Sequence, residues 1–195
     1  GGLEDKEINI QYLQRAARSV DRLCLIVDDL ESISKMESGE LILEQRTFDI
    51  ADLIRDVIDS VELQARERNI TLSLKDDSHP ECFVFADKER IRQVFVNLLV
   101  NSVKYGKAGG KTVVGVYDLD SNVLVEITDN GIGIEPQHIP RLFERFYRVD
   151  KSRSRDQGGT GLGLTIVKHI LEAHSQTISV RSSYGVGTTF SFALK

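Results

Sequence analysis

Residues 90–105 read Arg-Ile-Arg-Gln-Val-Phe-Val-Asn-Leu-Leu-Val-Asn-Ser-Val-Lys-Tyr and are the most informative segment of the chain. On a helical wheel, the polar side chains of this segment form one narrow stripe and nearly every other direction is apolar. The members of the stripe are Arg90, Gln93, Asn97, Asn101 and Lys104. Because a helix that is apolar almost all round is buried, we expect the stripe to face an enclosed site and not bulk water.

The two asparagines of this stripe stand four residues apart, so both amides reach the same place. Buried amides need partners, because leaving them without one is costly. An asparagine oxygen is a hard, neutral ligand that suits Mg²⁺ alongside water and phosphate oxygens. Lys104, one turn later, can meet a phosphate. The alternative is that both amides only bond to neighbouring loops, and the segment alone leaves both interpretations open.

A first glycine-rich turn, Asp129-Asn-Gly-Ile-Gly133, follows a predicted strand. A carboxylate fixed beside bare backbone can accept a hydrogen bond from an adenine amino group, and the glycines permit a flat base to approach closely. Asp-Asn-Gly alone is also typical of a hairpin turn. Residues 136–145, however, predict a short helix and not a return strand, which favours the base-binding interpretation.

A second glycine cluster, Gly158-Gly-Thr-Gly-Leu-Gly163, leads directly into a predicted helix, Leu164–Ala173. Glycines before a helix N-terminus expose unpaired backbone N–H groups to an anion, and the helix dipole adds to the attraction. The alternative is a flexible connector that binds nothing. The immediate start of a helix favours phosphate binding.

Between the two clusters lies Arg141-Leu-Phe-Glu-Arg-Phe-Tyr-Arg148. Phe143 and Phe146 are candidate anchors of a lid, and Arg145 and Arg148 can neutralise phosphate charge. A solvated amphipathic helix explains the same pattern equally well. The polar stretch from Tyr147 to Thr160 has no helix or strand signal, and a loop of this length is typical of a functional segment such as a lid.

Residues from Lys6 to Met36 predict one long helix at the start of the chain. Its apolar residues recur in steps of three and four, which indicates a seam for a partner helix. They are Leu13, Ala16, Val20, Leu23, Val27 and Leu30, with Ile26 and Ile33 widening the stripe. A multi-helix bundle fits this stripe better than a two-stranded coiled coil, and an amphipathic helix packed on its own domain is the alternative.

The order of the remaining elements predicts the fold class. A helix capped by Asp49 runs to Arg68, and another covers Lys88–Tyr105. The predicted strands are Leu41–Leu43, Ile70–Lys75, Cys82–Ala86, Thr112–Asp118, Asn122–Thr128, Thr177–Ser183 and Thr188–Leu194. We predict an α+β fold: a two-layer α/β sandwich of a mixed sheet with helices on one face, preceded by the long helix.

The composition of the chain excludes two classes of function. A net charge of −5 argues against a general nucleic-acid binder, because such proteins carry a basic excess. No run of about 18 apolar residues is present, so no membrane segment is expected.

Taken in order, these motifs resemble the catalytic core of bacterial sensor histidine kinases, within the wider ATPase superfamily of gyrase, the large heat-shock chaperones and the mismatch-repair ATPases. The resemblance covers nearly the whole chain. The matching motifs are the asparagine box at 97–105, two glycine boxes at 129–133 and 159–163, the phenylalanine box at 143–146 and the closing turn Gly185-Val-Gly-Thr188. The departures are small: Ser102 replaces the commoner alanine, and His174-Ser-Gln176 replaces a frequent His-Gly-Gly.

The resemblance implies that ATP and Mg²⁺ are the cofactors. It implies that Asn101 binds Mg²⁺ and that Asn97 supports the metal and the phosphates. Lys104 and Arg145 are implied to contact phosphates, which makes these four residues the expected catalytic set.

The same resemblance implies how the nucleoside is bound. Asp129 is expected to recognise the adenine amino group with Thr188 nearby, and Tyr105 is expected to line the pocket. The other residues expected to bind the nucleotide are Gly131, Gly133, Phe146, Gly159, Gly161, Leu162 and Gly163.

One position separates kinases from hydrolases in this superfamily. In the water-splitting relatives, a glutamate four residues before the metal-binding asparagine activates water. Asn97 holds that position here, and a neutral amide cannot take a proton at neutral pH. The nearest acidic residue on the helix, Glu89, lies off the stripe. We therefore expect phosphoryl transfer to an incoming nucleophile, with an ATP-hydrolysing relative and a degenerate kinase acting as a scaffold as the alternatives.

In the family, the nucleophile is a histidine in a His-Glu/Asp-x-x-Thr-Pro pattern on the first helix of a dimerisation hairpin. None of the four histidines, His79, His138, His169 and His174, has that setting. The leading helix matches the second helix of the hairpin, so we expect the chain to begin after the acceptor helix and to bind ATP without phosphorylating itself.

The resemblance also predicts domains and partners. Residues 1–39 are expected to be the second hairpin helix, and residues 40–195 the ATP-binding domain. The expected partners are a response-regulator receiver domain and a second copy of the parent protein, with no nucleic acid. The expected location is the cytoplasmic side of a membrane-anchored bacterial sensor.

Overall fold

The computed structural model describes residues 6–75, 82–149 and 159–195. The elements in chain order are α1 (Lys6–Glu37), β1 (Gln45–Asp49), α2 (Ile50–Glu67), β2 (Thr71–Leu74), β3 (Phe83–Asp87), α3 (Lys88–Tyr105), β4 (Lys111–Asp118), β5 (Val123–Asp129), a 3-10 helix (Pro136–Arg141), α4 (Gly163–Ala173), β6 (Ile178–Ser183) and β7 (Gly187–Leu194). This α+β arrangement, with one long leading helix, confirms the predicted fold class.

The main sheet has five strands in the order β2-β4-β5-β7-β6. Strands β2 and β4 are parallel and the other neighbours are antiparallel, so the sheet is mixed as predicted. Along β5 and β7 burial alternates, with Val125 between Val116 of β4 and Phe192 of β7. This alternation turns one face of the sheet towards the helices.

Strands β1 and β3 form a separate two-stranded antiparallel ribbon, in which Phe48 is opposite Val84. The predicted strand at Leu41–Leu43 is wrong. These residues are outside any strand, and Ile42 is 86% exposed. The strand begins instead at Gln45, because pairing with β3 fixes its position and only Phe48 of β1 needs to be buried.

The core lies between the sheet and helices α2, α3 and α4. Phe95 of α3 is fully buried, and its ring centroid lies 5.8 Å from that of Phe192 in β7. Each fully buried side chain of this size contributes about 1.5–3 kcal/mol to folding. Helix α3 is therefore held by packing on several sides, as its apolar circumference predicts.

Two aspartates fix where helices α2 and α3 begin. Asp49 accepts a hydrogen bond from the backbone N–H of Ala51 at 2.8 Å, which confirms its predicted capping role. Asp87 accepts from the N–H groups of Glu89 and Arg90, each at 3.1 Å. The second cap sets the start, and hence the rotation, of the helix that carries the polar stripe.

Helix α1 uses only part of its length to contact the core between the sheet and the other helices. Ile26, Leu30, Ile33 and Met36 join the core beside α4, and Ile33 is fully buried. The described side chains before Arg22 are almost all exposed. None of the helices in the described ranges combines the length and the apolar run that crossing a membrane requires.

The predicted helix over residues 136–145 is shorter than expected. A 3-10 helix covers Pro136–Arg141 and turns follow it. Pro140 has no N–H to continue a helical ladder, and Phe146 has a positive φ of 60° that ends any helix before it.

Candidate functional site

The polar stripe of α3 lies half-buried, with Asn97, Asn101 and Lys104 on one face. The Asn97 amide nitrogen donates to the carbonyl of Gln93 at 3.0 Å, one turn back. Its oxygen faces α4, because a Cβ added at Gly163 would lie 2.8 Å from it. Asn101 makes no side-chain hydrogen bond within the described ranges. Within the described ranges, neither amide is therefore bonded to a neighbouring loop, as the alternative interpretation requires.

The second glycine cluster packs against this stripe at the start of α4. The Lys104 ammonium lies so close to Gly159 that a Cβ there would require the lysine side chain to move. Gly161 has a φ of 77° and touches the backbone of Phe146. Leu162 is fully buried beneath the turn and gives α4 no side-chain cap, which leaves the helix N-terminus open to an anion. Gly158 and most of the predicted lid lie outside the described residues.

Lys104 is in a strongly positive environment. Burial is the main cause that lowers its pKa, and the charges of Arg148, Arg22 and Arg68 lower it further. Arg148 donates to the Gly159 carbonyl at 2.8 Å. This end of the site is therefore prepared for a ligand with several negative charges.

Asp129, at the end of β5, forms the opposite part of the site. Its carboxylate accepts from the N–H of Gly131 at 2.8 Å. Burial raises the pKa of Asp129, and hydrogen bonds from the backbone N–H groups of Gly131 and Thr188 oppose this rise. Thr188 is buried, with its hydroxyl 2.9 Å from that of Ser182. A half-buried carboxylate beside glycine backbone can accept a hydrogen bond from the amino group of an adenine edge.

The first glycine turn is held between α3 and β6. The N–H of Ile132 donates to the carbonyl of Tyr105 at 3.2 Å. Gly133 has a φ of 68°, and a Cβ there would collide with the carbonyl of Ser183. The Tyr105 ring is 43% exposed and lies 5.4 Å from the Lys104 ammonium. The two ends of the site thus meet at the last turn of α3.

The Arg141–Arg148 segment divides between the core and α1. Phe143 packs against the core, whereas Phe146 is 53% exposed and donates its backbone N–H to Gly161 at 3.0 Å. Arg145 forms an ion pair with Glu37 of α1. In this structure its guanidinium therefore meets a carboxylate of the leading helix and not the stripe of α3.

Several charged residues of this region were not found from the sequence. Arg22 of α1 donates to the Gly159 carbonyl at 3.0 Å, and Arg68 donates to the Lys104 carbonyl at 3.0 Å. Arg22 follows Arg15 and Arg18 on the same helix, and no local pattern distinguishes the three. Only the tertiary arrangement identifies these contacts.

Glu89 does not approach the stripe. It is exposed and lies 3.8 Å from Arg46 and 3.7 Å from Arg92. Among the described residues, no group of three or more histidine, cysteine or acidic side chains could hold a metal ion.

Comparisons with known proteins agree with this geometry. Residues 86–195 match the family model described as histidine kinase-, DNA gyrase B-, and HSP90-like ATPase. The chain is 39% identical to drug sensory protein A of Synechocystis sp. over 94% of this chain and 29% of that protein. It is 35% identical to sensor protein kinase WalK of Staphylococcus aureus over all of this chain and 46% of that protein. The chain thus spans less than half the length of these relatives.

Solved structures give the same result. Full-length ShkA in complex with AMPPNP superposes with a TM-score of 0.83 and 28% identity, over 94% of this chain and 38% of that one. Histidine kinase ThkA in complex with response regulator protein TrrA gives a TM-score of 0.75 and 25% identity, over 97% and 52%. The chain belongs to the histidine kinase-, DNA gyrase B- and HSP90-like ATPase family, and its core is that of a bacterial sensor histidine kinase.

Proposed function

We propose that this chain binds Mg²⁺-ATP and is the catalytic part of a two-component protein-histidine kinase. It transfers the γ-phosphoryl group to a histidine outside this sequence, for onward transfer to an aspartate of a response regulator. The observation that carries the proposal is that Asn97 and Lys104 lie against the glycine turn that opens α4, with Asn101 between them on the same face of α3 and Asp129 beside the last turn of that helix.

The residues of the chain have separate roles in this proposal. Asp129 accepts from the adenine amino group, and the glycine turns let the base and phosphates approach the backbone. Lys104 and the N-terminus of α4 hold the phosphates. Transfer then depends on position and charge neutralisation, because the protein contributes little covalent chemistry to such a reaction.

The donor set suits Mg²⁺. Asn101 offers a neutral oxygen with no competing side-chain hydrogen bond in the described ranges, and Asn97 uses only its nitrogen, towards Gln93. A site with so few protein ligands fits a cation that keeps its water and phosphate ligands. Mg²⁺ would neutralise phosphate charge there, with Asn101 as its main protein ligand and Asn97 in support.

Transfer to a histidine is favoured over hydrolysis of ATP. The position where a hydrolase needs a base carries Asn97, and Glu89 is held outside by two arginines. Neither residue can remove a proton from a water at the terminal phosphate.

The partners and domain boundary are proposed on the same basis. The AMPPNP and response-regulator complexes of the two similar structures support a nucleotide and a receiver domain as ligands of this family core. We place the boundary between the hairpin helix and the ATP-binding domain near Gly39, where α1 ends and φ is 72°. The parent protein would dimerise through α1.

A thermal-shift titration tests the nucleotide site. Mg²⁺-ATP or Mg²⁺-ADP at a hundredfold excess over the dissociation constant should stabilise the chain by about 2.7 kcal/mol. Mg²⁺ with guanosine nucleotides is the matched control, because their base presents a carbonyl where adenine presents its amino group. No response to the adenosine nucleotides would reject the proposal.

A transfer experiment tests the reaction. The chain is mixed with γ-labelled ATP and a separate hairpin helix carrying the His-Glu/Asp-x-x-Thr-Pro pattern, and the expected product is acid-labile phosphohistidine on that helix only. A His→Ala form of the helix is the control. Release of inorganic phosphate without labelling would favour the hydrolase alternative, and acid-labile label on this chain itself would show that the acceptor lies within it.

A further inference from the structure

Three cationic side chains, from two helices and a loop, meet at Gly159, and a fourth, from the end of α2, contacts the backbone of Lys104. Arg22 of α1 and Arg148 both donate to the carbonyl oxygen of Gly159, at 3.0 and 2.8 Å. The Lys104 ammonium lies against the same glycine. Arg68, at the end of α2, donates to the backbone carbonyl of Lys104 at 3.0 Å.

None of these four side chains forms an ion pair in the described ranges, although thirteen other contacts of that kind are present there. Asp29, which lies about two turns after Arg22 on α1, accepts a hydrogen bond from the Thr160 hydroxyl at 3.3 Å and not from an arginine. The pKa of Lys104 is lowered mainly by burial and further by the positive charges of Arg148, Arg22 and Arg68, which repel its ammonium. The cluster therefore has a net positive charge that the described protein groups do not balance.

The fold does not depend on the contact between Arg22 and the Gly159 carbonyl. A carbonyl oxygen has two lone pairs, and Arg148 already occupies one of them at Gly159. The seating of α1 comes from Ile26, Leu30 and Ile33, which lie further along the helix. Arg22 is half-buried, and in the described ranges its guanidinium makes one hydrogen bond, to Gly159. Its planar fork of five N–H donors matches phosphate oxygens.

We propose that Arg22 is a phosphate-binding residue, through which the leading helix completes the nucleotide site. This inference rests on the proposed function, because it takes the bound polyanion to be Mg²⁺-ATP. The guanidinium would add to the binding of the phosphate chain, and its contribution would grow with the number of phosphates. Helix α1 and the ATP-binding domain would then be linked through the nucleotide itself, in addition to their apolar contact.

Isothermal titration of four proteins tests this inference. They are the unchanged chain, Arg22→Ala, Arg22→Lys and the control Arg18→Ala, which removes an exposed arginine one turn earlier that forms no ion pair in the described ranges. The ligands are Mg²⁺-ATP, Mg²⁺-ADP and adenosine. Arg22→Ala should weaken ATP about tenfold or more, ADP less, and adenosine not at all, since a hydrogen bond to a charged group is lost. Arg22→Lys should be intermediate, and Arg18→Ala unchanged.

The outcomes separate the inference from the function beneath it. If the unchanged chain binds no Mg²⁺-ATP, the proposed function fails. If it binds and Arg22→Ala binds all three ligands as well, only the inference fails. An equal loss for ATP, ADP and adenosine would mean that Arg22 merely supports the fold, and would also overturn the inference. If Arg22→Ala does not fold, Arg22→Lys and Arg22→Gln decide by the same ATP-to-adenosine comparison.

Discussion

Helices α1 and α3 are both rich in large apolar side chains, but those of α3 are covered and most of those of α1 are not. In α3, Ile91, Val94, Phe95, Leu98 and Leu99 are all buried to within 1% of full burial. Among the α1 residues whose burial the structure describes, 9–37, only Ile33 is fully buried. The exposed apolar residues of α1 are Ile10, Tyr12, Leu13, Val20, Leu23, Leu25 and Val27, each 55–65% exposed.

The difference shows what an apolar helical pattern does and does not predict. It indicates that a helix requires cover, and both patterns do so. The pattern does not predict which elements bury the apolar side chains. For α3, they are α2, α4 and the sheet. For the exposed apolar side chains of α1, no described residue provides a covering surface. A contiguous exposed apolar surface of this kind marks an interaction face. We propose that a partner helix of the dimerisation bundle covers it.

The largest expected effect compares one leucine from each helix. Leu99→Ala should lower the free energy of unfolding by about 2–5 kcal/mol, because it leaves a cavity in the core. Leu23→Ala, at a side chain that is 61% exposed, should change it by no more than about 0.5 kcal/mol. Urea unfolding at several protein concentrations measures both. A large, concentration-dependent cost of Leu23→Ala would show that the chain already covers α1 by self-association.

The second effect concerns the polar stripe of α3, which has no counterpart on α1. Asn101→Ala should remove the Mg²⁺-dependent part of the stabilisation by nucleotide, because the proposed metal ligand is lost, while apo stability changes little at this half-buried position. Thermal shifts with ATP, with and without Mg²⁺, measure this. Asn122→Ala, at a half-buried asparagine in the β4–β5 turn, is the matched control. Retention of the Mg²⁺ dependence would assign the metal to another ligand.

The same contrast explains how much the sequence could predict. Helix α3 was predicted to the residue, because its caps and its apolar circumference are local features. The hydroxyl of Ser102, which departs from the family pattern, is fully hydrogen-bonded. It donates to the Leu99 carbonyl at 2.8 Å and accepts from the Thr112 hydroxyl at 3.0 Å. The grouping of the stripe with the two glycine turns is implied by the resemblance and by no local pattern, because one turn follows β5 and the other precedes α4.

Features that depend on distant partners were missed. Strand β1 was misplaced because its position is set by pairing with β3, and its own residues are mostly exposed. The positive φ of Phe146 accompanies the close approach of Gly161, which no local pattern indicates. The contacts of Arg22 with Gly159 and of Glu37 with Arg145 join residues more than a hundred positions apart.

A pH titration gives the third effect and compares one half-buried aspartate from each region, Asp129 and Asp29. Burial raises the pKa of both Asp129 in the base site and Asp29 in α1. Adenine recognition needs the ionised Asp129 carboxylate, so affinity for Mg²⁺-ATP should fall as pH decreases through its raised pKa, by about tenfold for the loss of a charge-assisted hydrogen bond. Titration calorimetry across this acidic window measures the change.

The control for this titration is Asp129→Asn, which keeps an oxygen for the Gly131 N–H but cannot ionise. It should bind weakly at every pH in the window. The free energy of unfolding of the apo protein should change with pH in the opposite direction. Because the folded-state pKa of Asp129 is raised, its protonated form adds stability that is fully present below the unfolded-state pKa. That stability is lost as pH rises through the folded-state pKa. If Asp129→Asn keeps the same pH dependence of affinity, Asp29 or another group is responsible.

The smallest expected effect concerns the ion pair between the last turn of α1 and Arg145. Glu37→Gln removes the carboxylate that holds the Arg145 guanidinium, and the resemblance assigns that arginine to the phosphates. Because exposed ion pairs contribute little, affinity for Mg²⁺-ATP should rise by less than about threefold. The matched control is Glu31→Gln, which removes an exposed pair with Lys35 on the same helix without touching the ATP-binding domain. A fall in affinity for Glu37→Gln alone would show that the ion pair helps to organise the site, and α1 would then support the nucleotide at both Arg22 and Glu37 instead of competing for Arg145.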